Sequence, residues 1–418
     1  MCPLSHDSTP RPSSNQEESL SQKSQPTGRL VGISLMSRLV TDTGTQIFNP
    51  FLPFIAQGLN TSLVSVGWLV GLRSACGLLA PLFGALADRY GFRYLLCLAL
   101  VTCSLGTLLV GLANHWLMAA IGMAIWGIGM SGFVPTLHAY LGACLPYNIR
   151  ARGIGIVEYG WALAGIVGLF SAGWLITTWN WRAPFFVLSI CMLVMAFTFL
   201  FLPQPRLTNQ KPPCGPSRFR FSPRDFFSLG ENALSAYAIM IGGALAFFAA
   251  MQIYIAHGTW LDLQYETGPA MLGTIALIFG LADLAGSVTV SLFTDPIGKR
   301  RSVLIGLVFS LMAFLLLPLL DGGLVSAVVG LSLVRLCFEF TIVSNIALLS
   351  EQVPEQRGKV MTLGAAIGVV GMILASVIGP WLYLTQGVAG LSIVSAVMTF
   401  LALLVYALFT RDRTASVS

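Results

Sequence analysis

Seven charged side chains interrupt long apolar runs in this chain of 418 residues. An ionised group inside an apolar helix is costly unless another charge or water compensates it. Such residues therefore act as ion pairs that hold helices together, as proton relays, or as counter-ions to a bound solute. The candidates for coupling and solute binding are Arg38, Asp42, Arg73, Glu158, Asp283, Arg335 and Glu339.

Four residues separate Arg38 from Asp42, and the same spacing separates Arg335 from Glu339. Residues one helical turn apart lie on the same face, so the sequence predicts an ion pair in each case. Asp42 is the acid that we expect nearest to the centre of the first helix. If the transport cycle separates it from Arg38, the loss of the compensating charge lets it take up a proton. We therefore predict Asp42 as the coupling group; the alternative is a purely structural bridge.

A charged turn is found twice in the chain. Residues 84–93 read Gly-Ala-Leu-Ala-Asp-Arg-Tyr-Gly-Phe-Arg, and a shorter version occupies residues 295–301. Three pairs of residues are each 207 positions apart, which is about half of the chain: Asp88 and Asp295, Gly91 and Gly298, and Arg93 and Arg300. A repeat at this distance predicts two related halves. In membranes, duplicated halves usually build a transporter whose binding site lies where they meet.

The elements that carry these residues are predicted to be membrane-spanning helices. Hydrophobic residues make up 56% of the chain and charged residues 10%, whereas soluble domains have about 25% charged residues. Runs of about 20 apolar residues are long enough to cross a bilayer. We predict twelve such runs, at residues 29–58, 63–87, 92–112, 116–143, 153–178, 183–202, 235–261, 269–294, 302–320, 323–350, 358–384 and 388–410. The expected fold is an all-α membrane protein with two pseudo-symmetric six-helix bundles.

Polar segments divide the chain into domains. A tail at residues 1–28 and a proline-rich linker at 203–234 have few apolar residues, so we expect both on the cytoplasmic side. The predicted division is a disordered tail (1–28), an amino-terminal bundle (29–202), the linker (203–234), a carboxyl-terminal bundle (235–410) and a tail (411–418).

Charge placement predicts the orientation of the helices. If the amino terminus is cytoplasmic, the predicted outer loops contain a single basic residue, Arg182, and the inner segments contain nearly all the others. This is a positive-inside pattern. We therefore expect a multi-pass protein of the plasma (inner) membrane with both termini cytoplasmic. The net charge of +6 then reports orientation, and no nucleic-acid partner is expected.

The sequence gives no sign of enzymatic chemistry. The eight cysteines are scattered, and no metal-type pair, phosphate loop or nucleophile–base set is recognisable. We expect no metal, no cofactor and no catalytic residue.

The charged turn resembles a loop of the major facilitator superfamily of secondary transporters. The family pattern Gly-x-Leu-Ala-Asp-Arg-x-Gly-x-Arg is matched by Gly84, Leu86, Ala87, Asp88, Arg89, Gly91 and Arg93. The resemblance implies that Asp88 binds the start of the eleventh helix, and that Arg89 and Arg93 complete a charge lock that closes the cytoplasmic side. It implies a gating role for Asp295 and Arg300 as well.

Two positions depart from family patterns. Met123 stands where the family often has an arginine, and Leu169 follows Gly168 where proton antiporters have a proline. The resemblance therefore favours a transporter in general more than a drug–proton antiporter.

The sequence predicts a secondary active transporter of a small organic solute, working by alternating access and coupled to protons, with an efflux permease as one option. The alternative is a transporter-like sensor that binds a ligand without moving it, but such a sensor would be expected to carry a larger soluble output domain. The expected partners are a small-molecule substrate, a proton or other coupling ion, and the lipid bilayer. We expect a monomer.

Overall fold

The computed structural model of the protein describes residues 27–80, 83, 86, 90–202, 229, 232–353 and 356–410. Every regular element in these residues is a helix, and none is a strand.

The described part of the amino-terminal half contains six helical spans. Their bounds are α1 (Thr27–Gln46 and Phe48–Gly58), α2 (Leu63–Ala75 with a 3₁₀ turn at Cys76–Leu79), α3 (Phe92–Leu112), α4 (Trp116–Cys144), α5 (Tyr147–Glu158, Gly160–Leu163, a π-helical stretch at Ala164–Leu169, and Phe170–Thr178) and α6 (Ala183–Leu200). The break in α1 falls at Ile47, shortly before Pro50, which has no N–H to continue the helical hydrogen bonds.

The described carboxyl-terminal half has the same number of spans. Their bounds are α7 (Ala233–Tyr265), α8 (Gly268–Ile297), α9 (Lys299–Leu316 with a 3₁₀ turn at Leu317–Leu320), α10 (Leu324–Gln352), and the stretch Arg357–Phe409, which Gly387 divides into α11 and α12. A helix of 53 residues would be about 80 Å long, far more than a bilayer requires. Gly387 reverses the chain with a φ of 63°, which glycine adopts readily.

The predicted fold class is confirmed. Among the described residues, nine helices are long and apolar enough to cross a membrane, and the shorter Leu63–Leu79 is also apolar. The two segments of α1 and the division at Gly387 complete the twelve. Several boundaries differ by a few residues from the prediction, and the largest difference is at the start of α5. This helix begins at Tyr147 rather than 153, because it continues beyond the apolar run through Arg150 and Arg152.

The two halves pack against each other on one side of the membrane. Each half has six spans, so both halves begin and end on the same face of the membrane. We call this the terminal face, and the opposite one the far face. The segments that pack across the boundary are Phe48–Gly58 on α7, Leu63–Ala75 on α11, and the segments of α5 after Glu158 on α8. All of these lie toward the far face.

Glycine permits the close approach of the halves there. A Cβ atom added to Gly258 would lie 2.2 Å from the carbonyl oxygen of Pro50, and one added to Gly173 would lie 2.5 Å from that of Pro269. No side chain fits at either position, so the backbones touch directly.

Candidate transport site

A chain of four charged or titratable side chains crosses the amino-terminal half toward the interface. On α1, Nη1 of Arg38 lies 3.3 Å from Oδ1 of Asp42. Nη2 of the same guanidinium lies 3.3 Å from Oε2 of Glu158 on α5. The second oxygen of Glu158 lies 2.5 Å from Nε2 of His138 on α4. The structure therefore contains the predicted Arg38–Asp42 pair and adds two partners to it.

The chain of contacts extends from a buried side chain to two partly exposed ones. Asp42 is 2% exposed, whereas the side chains of Glu158 and His138 are 46% and 37% exposed. His138 can donate or accept a proton, and Glu158 can relay one. The arrangement therefore links a buried acid to an accessible base.

The carboxyl-terminal half contains a closed ion pair. Arg335 on α10 binds Asp283 on α8 through two atoms, Nε at 3.0 Å and Nη2 at 2.5 Å. The predicted pair between Arg335 and Glu339 is wrong. Asp283 presents both oxygens to the planar guanidinium, a bidentate geometry that outcompetes a neighbour on the same helix. Glu339 accepts a hydrogen bond from the Ser287 hydroxyl at 2.8 Å instead.

Arg73 is buried inside the amino-terminal half, away from the other predicted coupling residues. Its guanidinium stacks over Phe48 and Trp126, with its carbon 5.7 and 5.1 Å from their ring centres. It donates to the carbonyl oxygens of Gly44 and Thr45, just before the break in α1. Carbonyls at a helix end lack intrahelical partners and carry partial negative charge, so they can hold a cation.

Arg335 has a matching aromatic cage in the other half. Its guanidinium carbon lies 4.2 Å from the ring centre of Tyr254 and 5.2 Å from that of Phe279. Tyr254 follows Phe48 by 206 residues, and Phe279 follows Arg73 by 206 residues. Only the rings of Phe48 and Tyr254 correspond at this offset, because residue 332, which is 206 positions after Trp126, is a serine.

A small cavity lies between the halves, beside the Arg335 cage. Its volume of about 10 Å³ is close to the space that one water occupies. The His257 ring in its wall donates from Nδ1 to the Tyr254 carbonyl at 2.6 Å. Of its lining residues only Arg335 was predicted from the sequence, because uncharged side chains like the others are common in membrane helices. The lining consists of Gln46, Asn49, Pro50, Gly165, Leu169, His257, Ala276, Phe279 and Arg335.

The repeated turn is partly described. Gly84, Asp88 and Arg89 lie outside the described residues, as does the side chain of Asp295. Gly91 and Gly298 have φ angles of 89° and 93°. Each glycine stands immediately before a helix, and their shared left-handed backbone supports the equivalence of the two turns.

The arginines after these glycines bind within their own halves. Arg93 at the start of α3 donates to the Leu202 carbonyl, just after α6, at 3.2 Å. Arg300 at the start of α9 donates to the Thr410 hydroxyl and to the Ala407 carbonyl, at the end of α12. In this conformation both arginines therefore secure the last helix of their own half, where helix carbonyls favour a cation.

The contacts between the halves in the described part of the chain lie toward the far face. The halves are therefore packed together on that side, as one state of an alternating-access cycle requires.

Two six-helix halves with charged residues at a shared interface define the class of secondary transporters. The model of the Major Facilitator Superfamily matches residues 35–265 and again residues 239–418. The chain belongs to this family.

Individual relatives agree with this assignment. The chain is 24% identical to YceJ, an uncharacterised MFS-type transporter of Bacillus subtilis (strain 168). The match extends over 372 residues, which are 88% of this chain and 93% of YceJ. It is 24% identical to the sialic acid transporter NanX of Escherichia coli (strain K12), over 77% of this chain and 78% of NanX. The inward open structure of the xylose transporter XylE from E. coli shares its fold, with a TM-score of 0.74 at 16% identity over 93% of this chain and 98% of XylE.

Proposed function

We propose that this protein is a proton-coupled secondary transporter of a small organic solute. Its family supports solute transport through a membrane. The observation that carries the coupling is the connected set Asp42, Arg38, Glu158 and His138, which links a buried acid to an exposed base.

The proposed cycle depends on Arg38, which is the shared partner of Asp42 and Glu158. Arg38 compensates Asp42 and Glu158 together in the state described above. In the proposed cycle, a conformational change separates one of the two acids from Arg38. The acid that loses it takes up a proton through His138 and Glu158, and releases the proton when the pair forms again.

The positive-inside pattern supports a plasma-membrane location with the terminal face in the cytoplasm. The side open to His138 and Glu158 is then the cytoplasmic one. The turn at residues 84–93 and its copy at residues 295–301 are proposed to gate this side, with Asp88 and Arg89 as its first charged contacts.

Purified protein in liposomes tests the coupling. We expect an imposed proton gradient to drive accumulation of a transported solute by wild-type protein, and Asp42→Asn to abolish accumulation while exchange of solute across equal concentrations continues. Asn preserves the size of the side chain and removes its titratable proton. Ser37→Ala on the same helix is the matched control, because the Ser37 hydroxyl donates to the Ile33 carbonyl of its own helix and to no other described residue.

Accumulation by Asp42→Asn at the wild-type level would show that Asp42 is not the coupling group. Solute flux in no condition, from a folded protein that binds its ligand, would favour the sensor hypothesis instead.

A further inference from the structure

Carboxylates outnumber guanidiniums among the charged side chains whose contacts are given above. These side chains are the carboxylates Asp42, Glu158, Asp283 and Glu339, the guanidiniums Arg38 and Arg335, and the imidazole of His138. When all four carboxylates are ionised, two guanidiniums and a protonated His138 leave one negative charge of this set uncompensated.

The excess is located on two residues, one from each half. Asp283 is fully engaged by the two-atom contact with Arg335. Arg38 divides its charge between Asp42 and Glu158. The described partner of Glu339 is the uncharged hydroxyl of Ser287.

Glu158 and Glu339 belong to different halves and lie at similar depths. A Cβ added to Gly280 of α8 would lie 2.8 Å from the Ala162 carbonyl of α5, so the helices touch there. Glu158 is one turn before Ala162. Toward the same face along α8, a Cβ added to Gly286 would lie 2.8 Å from the Cβ of Glu339. Glu158 and Glu339 therefore both lie on the terminal side of the place where α5 touches α8.

A separate observation indicates a missing hydrogen-bond donor. Asp42 is 2% exposed, and its Oδ2 has no hydrogen-bond partner among the described residues. A buried carboxylate oxygen without a donor is unfavourable. This oxygen belongs to the same connected set as Glu158.

We propose that Glu158 and Glu339 form the two sides of a binding site for an organic monocation, which is the solute class of the transporter. This inference rests on the proposed function and specifies its substrate. The cation compensates both carboxylates at once and removes the repulsion between the halves, so that the terminal side can close around it. A proton on either carboxylate supplies the same charge, so the solute and protons compete for one site.

Equilibrium titration of the purified, detergent-solubilised protein tests the site without requiring transport. The probes are benzyltrimethylammonium, a cation of fixed charge, and benzylsulfonate, an anion with the same aromatic body. We expect the cation to bind and the anion not to bind. Glu158→Gln and Glu339→Gln should each weaken cation binding by about tenfold or more, because each removes one of two facing charges.

Glu266→Gln is the matched control, since Glu266 is an exposed carboxylate beyond the end of α7 at the far face. It should bind the cation as wild type does. Thermal unfolding of each variant checks that its fold is intact. The two possible sources of positive charge at the site are a proton and the cation. Titration in two buffers of different ionisation enthalpy measures the number of protons released as the cation binds, and we expect such a release.

Equal binding of the anion, or binding unchanged by both Gln substitutions, would overturn the proposal. Cation binding without proton release would overturn the competition for one site. If the cation does not bind but a proton gradient still drives flux of another solute in liposomes, this inference fails and the proposed function stands. If no solute moves under any gradient, the proposed function fails.

Discussion

The two halves place an arginine in the same aromatic setting but compensate its charge differently. In the amino-terminal half Arg73 comes from α2 and is held by backbone carbonyls. In the carboxyl-terminal half Arg335 comes from α10, and the carboxylate of Asp283 on α8 compensates it. The two halves share one ring position, Phe48 and Tyr254, 206 residues apart, while the arginine stands on a different helix.

The difference extends to the acids around each cage. Asp283 and Arg335 form a closed pair with side chains 3% and 6% exposed. Asp42 shares Arg38 with Glu158, which is exposed and bound to His138. A closed pair is suited to holding helices together, and a shared, accessible set is suited to exchanging charge. We therefore assign stability mainly to the first and coupling to the second.

Asp283→Asn should have the largest effect on stability. It leaves the buried Arg335 without a compensating carboxylate, which costs about 3–5 kcal/mol in unfolding free energy. Asp42→Asn should cost clearly less, because Arg38 keeps Glu158 as a partner. Chemical unfolding of both variants in the same detergent measures the difference.

Equal losses in the two variants would contradict the assignment of stability to the Asp283–Arg335 pair. A double substitution, Asp283→Leu with Arg335→Met, provides a further check. Replacing both charges by apolar side chains is often neutral, so we expect stability to recover.

Gly280→Ala should have an intermediate effect, at the contact between the halves. The added methyl group would meet backbone atoms of Ala162 and Ile166 at 2.8 and 2.9 Å, and crowding of this type costs about 1–3 kcal/mol. We expect the far side to open, seen as faster hydrogen–deuterium exchange in peptides covering residues 165–173 and 269–280. Gly142→Ala is the control, since a Cβ there has nothing within 4 Å. Exchange that is the same in both variants would argue against a close contact at Gly280.

Arg73→Lys should have the smallest effect. Lysine keeps the charge but loses the planar stacking on Phe48 and Trp126, a change of about 0.5–2 kcal/mol. Arg335→Lys should cost more, because it also breaks a two-atom contact with Asp283. Thermal unfolding of the two variants tests this order, and the reverse order would mean that the carbonyl-bound arginine is the more important one.

The sequence alone determined the fold class, the number of spans and the duplication. Run length and composition fix these properties, because the thickness of a bilayer requires apolar segments of a set size. It also determined the Arg38–Asp42 pair, since a spacing of four residues within one helix fixes the geometry locally. The glycines of the repeated turns were recognisable for the same local reason.

The tertiary structure decided the contacts between helices. Arg335 had an acid on its own helix at the predicted spacing, but the packing of α8 on α10 brought Asp283 into a better geometry. The same applies to Glu158, which meets Arg38 and His138 from two other helices, and to the aromatic cages. Helix periodicity predicts which face a residue occupies, but the rotation and depth of neighbouring helices depend on the packing of all side chains at once. That packing determines which charges are compensated and which remain available to a solute.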